Sequence, residues 1–215
     1  MKGILGFKRG MTQVFGDKGI VIPVTVVEAG PCSIVQIKTK STDGYDAVVV
    51  GFGDIRKTLV NKPLTGQYKK ANITPKRHLK EFRIVGTEEY KLGQEFKCDM
   101  FAKGDIVDVT SRTKGRGFTG VIKRWNQGTG PKSHGSGFHR SVGSMGANTD
   151  PARVFKNKHM AGQYGNEQVT IQNLEVVGVD LAKNVLLIKG GIPGPDGALV
   201  VVKEAVKKGK KEVSA

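Results

Sequence analysis

Cysteine, tryptophan and long apolar stretches are all scarce in this chain of 215 residues, which has two Cys and one Trp. Cys32 and Cys98 are too few for a disulfide framework and too far apart for a Cys-x-x-Cys metal pair, so both are expected to be buried thiols. The longest apolar runs, AVVVGF at 47–52 and VLLI at 185–188, fall far short of the roughly 20 residues that a spanning helix needs. No transmembrane helix and no membrane partner are expected. The opening MKGILGFKRGM reaches Lys8 and Arg9 before any apolar stretch could act as a secretory signal, and it has no small-residue cleavage site. A cytoplasmic protein is expected.

Acidic residues are the other shortage. The chain carries 35 Lys plus Arg against 19 Asp plus Glu, a net charge of +16. A surplus of that size predicts attraction to a polyanion, nucleic acid first and an anionic membrane surface second. It is unevenly spread. Residues 111–163 hold ten basic side chains and the single acid Asp150, a net +9, while the other 162 residues share +7. The same segment has ten of the 30 glycines and three of the four histidines. With few aliphatic residues to set a helical or strand period, it cannot build a core of its own.

On both sides of this segment the pattern is β. Short Val- and Ile-rich runs, IVIPVTVVEA, YDAVVVGF, DIVDVT, VTIQNLEVVGVD, NVLLIKG and ALVVVK, are cut by turn signals at the spacing of a sandwich or barrel. Gly-Asp-Lys-Gly at 16–19, Thr-Asp-Gly at 42–44 and Pro-Asp-Gly at 195–197 supply residues that tolerate positive φ. Pro23 removes a ladder donor, so its strand is expected at an edge or at a bulge. NKPLTGQYKKAN at 61–72 is the best short-helix candidate, and helix content should be low. The basic segment interrupts a β domain whose strands resume near Val169, so it is expected to project as a long loop. Half of the 36 residues 125–160, fully extended, would reach up to about 60 Å. Such a loop cannot offset its own ordering entropy, so an anionic partner must order it.

The motifs inside the segment argue for binding over catalysis. GRGFTG at 115–120 has dinucleotide-site spacing, but TGVIKRW is read as too short and β-branched to open the required helix, and no acid lies between Asp108 and Asp150. Close backbone approach to phosphates, flanked by Lys114 and Arg116, is the better reading. GTGPK at 128–132 lacks the Gly-Lys-Ser/Thr of a P-loop. His134, His139 and His159 have no Cys or paired carboxylate to complete a metal site, and Lys132, Arg140 and Lys158 would repel a dication. Stacking on bases or hydrogen bonding to phosphate and 2′-hydroxyl groups suits them better. Ser133 and His134 lack an orienting carboxylate, so no catalytic residues, cofactor or metal are expected and the chain is not read as an enzyme. Trp125 fits equally as a core anchor or as a stacking platform for an unpaired base.

GILGFKRGMTQVF, KGRGFTGVIKRW, GPKSHGSGFHRSVGSMG and VFKNKHMAGQYGNEQVTIQNLEVVGVD, in that order over nearly the whole chain, resemble the large-subunit ribosomal protein three family in its bacterial form. The resemblance implies a mainly β fold: a translation-factor-like β-barrel with a long irregular basic extension and little helix. Residues 1–110 would form the first part of the barrel with a small helical insertion near 61–80, and 111–165 the extension. Residues 166–205 would supply the closing strands and 206–215 a basic tail. It also implies direct binding of 23S-type rRNA, a role early in subunit assembly, neighbouring large-subunit ribosomal proteins as partners, and no homo-oligomer.

The tip matching the family's approach to the peptidyl transferase centre comprises Gly143, Ser144, Met145, Gly146, Ala147, Asn148, Thr149 and Asp150 and runs on to Arg153, with Asn148 closest. Thr149 stands where some members carry a methylated Gln, so that modification is not expected. By residue type, the candidate rRNA contacts are Lys8, Arg9, Arg112, Lys114, Arg116, Lys123, Arg124, Trp125, Lys132, His134, His139, Arg140, Asn148, Arg153, Lys156, Lys158 and His159.

Overall fold

The structure is a computed structural model that describes residues 2–16, 19–84, 86 and 89–207. In chain order, strands β1 (Gly3–Phe15), β2 (Val21–Ala29) and β3 (Cys32–Lys38) lead through a single helical turn, α1 (Lys40–Asp43), to β4 (Ala47–Asp54). Helix α2 (Lys62–Ala71) precedes β5 (Lys76–Arg83), β6 (Glu95–Phe96), β7 (Ile106–Arg112) and β8 (Gly117–Thr119). The short helix α3 (Val121–Trp125), β9 (Gly162–Tyr164), β10 (Gln168–Asp180), β11 (Val185–Lys189) and β12 (Leu199–Glu204) complete the order. With 42% strand and 13% helix the protein is mainly β. Two compact units are present, one made of residues 1–112 and 168–215 and the other of Thr113–Glu167.

The first unit contains a closed barrel in the order β1-β12-β7-β10-β11-β2, all neighbours antiparallel. Closure leaves no free edge for another chain to pair with. Its interior is set by period-two alternation: Val107 and Val109, Leu186 and Ile188, and Val200 and Val202 are all fully buried. A four-stranded sheet, β5-β4-β3-β6, packs Val48, Val50, Phe52 and Phe82 into the same apolar cluster as Ile4, Leu5 and Val27. Cys32 and Cys98 are both buried and unpaired, as expected from the sequence. Burial pushes the Cys32 thiol up to about 11, so it stays protonated and unreactive.

The expected strand runs are all strands, and α2 lies within the expected helical stretch. Asn61 caps α2 by accepting the Leu64 N–H, and Pro63 sits in the first turn, where its missing donor costs nothing. Gly44 and Gly197 adopt positive φ at their turns, while Asp17 and Lys18 of the first turn lie outside the described residues. So does most of the basic tail, residues 208–215.

Pro23 corrects one expectation. β2 is not an edge strand, because it pairs with both β1 and β11. Its β11 ladder stops at Val24, however, and the Pro23 carbonyl accepts from Gly190 N–H at 2.8 Å. The missing donor therefore falls just past the end of that ladder.

His78 on β5 meets the Phe7 ring edge-on at 5.7 Å. Partial burial, with Arg77 adding to it, holds its pKa below the ordinary 6.5. A depressed imidazole pKa means that the folded state prefers the neutral form. Its stabilisation is complete above about 6.5 and is lost as pH falls through the lower folded value. NMR titration should give a His78 midpoint under 6.5, and His78→Gln should flatten the decline in melting temperature on acidification. A midpoint at or above 6.5 would contradict this packing.

Candidate nucleic-acid interface

Thr113–Glu167 begins and ends in a paired neck. Thr113 N–H donates to Glu167 O at 2.9 Å, Glu167 N–H to Thr113 Oγ1 at 3.2 Å, and Arg116 N–H to Tyr164 O at 2.9 Å. β8 and β9 then pair from Gly117↔Tyr164 to Thr119↔Gly162. Gly165, at φ +71°, sits where any Cβ would overlap the Lys114 carbonyl, so the crossing of the two chains requires glycine there.

The helix that TGVIKRW was expected not to form does open at the third glycine of GRGFTG. α3 starts after Gly120, buries Val121 and stops at Asn126, which takes the left-handed conformation at φ 54°. Burial of Val121 outweighs the weak intrinsic preference of the β-branched pair. One turn is too short to present a phosphate-binding N-terminus, and the missing acid still argues against a dinucleotide site.

From Asn126 to Ala161 there is no helix or strand, and no residue from Ile122 to Glu167 is buried. Local reversals replace the fully extended course. Gly130 N–H bonds His139 O at 3.1 Å, His139 Nδ1 lies 3.1 Å from Pro131 O, and Ser144 Oγ donates to Gly146 O at 3.0 Å. Gly143 to Asp150 are exposed except for the half-buried Met145. Lys114, Arg116, Lys123, Lys132, Arg140, Arg153, Lys156 and Lys158 are exposed, as are His134, His139, Asn148 and His159, while Arg124 is half-buried.

Ion pairing separates the two units. Those among the described residues, such as Lys38–Glu81 at 2.7 Å and Lys76–Asp54 at 2.8 Å, all lie in the barrel unit, and none involves a Lys or Arg of Thr113–Glu167.

Trp125 is neither a core anchor nor a bare platform. It is 41% exposed, and its indole N–H donates to Met160 O at 3.0 Å. The His159 ring stacks on it at 4.0 Å with an interplanar angle of 2°. Arg124 Nη1 donates to the same carbonyl at 2.9 Å.

Two candidates behave differently from the rest. Lys8 is only 7% exposed and donates to Ile192 O and Gly194 O, both at 3.0 Å. This corrects its reading as an rRNA contact, since its ammonium is committed to the barrel's own backbone. Arg9, the next residue, is exposed but paired with Glu28. Arg112 is exposed at the end of β7.

A second basic surface was not singled out from the sequence. Residues 56–84 hold nine Lys or Arg and one acid, Glu81. Eight of the nine are exposed along α2, the turns around it and β5, which is an edge strand. A window count of charge reveals the segment, whereas averaging over everything outside 111–163 hides it.

Thr113–Glu167 and the flanking β7 and β10 all fall within residues 85–182, which match the family model for Ribosomal protein L3. Over those residues the chain is similar to the ribosomal protein L3 family. That family is one of structural components of the large ribosomal subunit and not one of enzymes.

Proposed function

We propose that this protein is an L3-family member that binds 23S-type rRNA directly through Thr113–Glu167, supports early assembly of the large subunit, and brings Gly143–Asp150 close to the peptidyl transferase centre. One observation carries the reading: the unit's cations, all but the half-buried Arg124, are exposed, and none has a carboxylate partner among the described residues, on a segment with no buried residue after Ile122. Closely spaced phosphates supply the missing counter-charge, and small residues let the backbone pass between them. The paired neck lowers the ordering entropy left to be offset on binding. Asn148 leads the tip, which shapes the RNA's geometry and performs no chemistry. The 56–84 surface supplies further phosphate contacts, and neighbouring ribosomal proteins complete the surroundings.

The test is binding of the full chain to a large-subunit rRNA fragment across a salt series. The log-log slope should be steep, about −0.7 to −0.9 for each phosphate neutralised. The protein should also co-sediment with the large subunit through a high-salt gradient. A flat salt response, or release from the subunit, contradicts the proposal.

A further inference from the structure

The strongest built feature of the extension lies at its base. Arg124, Trp125, Asn157, Lys158, His159 and Met160 line a cavity of about 350 Å³. It sits at the lower end of the roughly 300–1,000 Å³ typical of small-ligand clefts, which suits one nucleotide and not a duplex. The stacked Trp125–His159 pair forms one wall. The Arg124 guanidinium, 5.0 Å from the indole centroid, and the exposed Lys158 bring positive charge, and no carboxylate lines the space.

Resting on the RNA-binding reading, we propose that this cavity receives one unpaired nucleotide of the bound RNA. The base stacks against the Trp125–His159 pair, and its phosphate lies between Arg124 and Lys158. Three features build the pocket before RNA arrives. Met160 O takes hydrogen bonds from both Arg124 and Trp125, which ties the returning chain to α3. Gly162 leaves room for the guanidinium, because a Cβ there would lie 2.6 Å from Arg124 Nη1. Asn157, at φ 64°, turns the chain just before Lys158 and His159. Parallel rings held in place by such bonds give a base a ready surface, so little ordering is left for the binding step.

The protein carries its own reporter, since Trp125 is the only tryptophan. The full chain is titrated with a single-stranded hexaribonucleotide and with a perfect RNA duplex of the same sequence, following both tryptophan fluorescence and anisotropy of labelled RNA. The single strand should quench the fluorescence with the same midpoint as the anisotropy, and the duplex should bind without quenching.

His159→Ala should weaken the single strand about tenfold and leave the duplex unchanged, while His159→Phe, which keeps a stacking ring, should restore the affinity. Lys158→Gln should keep the quench and lower the salt slope by about 0.7. Circular dichroism melts confirm that each variant is folded. Salt-dependent binding of both RNAs without a fluorescence change, or single-strand affinity indifferent to His159→Ala, overturns the nucleotide pocket and leaves RNA binding intact. Binding of neither RNA overturns both.

Discussion

Replacing residues 126–159 by a short glycine linker is expected to leave a folded barrel with an unchanged melting temperature and to remove most rRNA affinity. The two ends lie close together, because Arg124 and Trp125 both bond Met160 O. Nothing in the deleted stretch is buried, so the apolar cluster of the barrel keeps every member. The stretch contains five Lys or Arg, at positions 132, 140, 153, 156 and 158. If each neutralises one phosphate, the log-log salt slope should fall in magnitude by about 3.5–4.5. Thermal melting and a salt series on the same preparations separate the two effects. Cooperative unfolding lost on deletion would mean that the extension is part of the core, and an unchanged slope would mean that its cations do not touch RNA.

Lys8→Ala is expected to do the reverse, lowering stability by about 2–4 kcal/mol while rRNA affinity stays at its original value. The cost comes from two carbonyls, Ile192 O and Gly194 O, each losing a charged donor in a buried place. The same residue's backbone accepts from Gly197 N–H at 2.7 Å and donates to Ala198 O at 3.0 Å. Lys8 thus fastens the β11–β12 connection to β1. Lys8→Met, which keeps the apolar stem, should recover the packing part of the loss but not the hydrogen bonds. Urea denaturation beside RNA binding decides the matter, and a stable variant with weakened RNA binding would return Lys8 to the interface.

These two residue sets show where the sequence was readable. The Val- and Ile-rich runs of β2, β4, β7, β10, β11 and β12 announce themselves, because strands buried on one face must alternate or run apolar. β1 and β5 do not. GILGFKRGMTQVF is broken by three glycines and the adjacent Lys8 and Arg9, KRHLKEFR carries five charged residues in eight, and β5 is held by its pairing with β4, from Ala47↔Arg83 to Asp54↔Lys76. Strand preference is largely a matter of neighbours, and a polar edge strand has few that sequence can reveal. α3 was missed for a related reason: the burial that stabilises its single turn comes from residues distant in the chain.

At the interface, the charge and glycine content of residues 111–163 marked the segment without any structure. The stack of Trp125 on His159 joins residues 34 positions apart, and residue type alone left Trp125 with two roles.

Composition alone determined that one stretch of this protein is cationic and poor in apolar residues, because those properties are sums over residues and do not depend on their arrangement. Only the tertiary structure decided which cations are free. Lys8 and Arg9 are neighbours of the same charge, yet one is sealed in the barrel and the other paired at its surface. The reason is geometric: the β1–β2 register shifts between Lys8 and Gly10, so Lys8 stays paired with Val27 while Arg9 is left out of the ladder, and barrel closure decides which face is the inside.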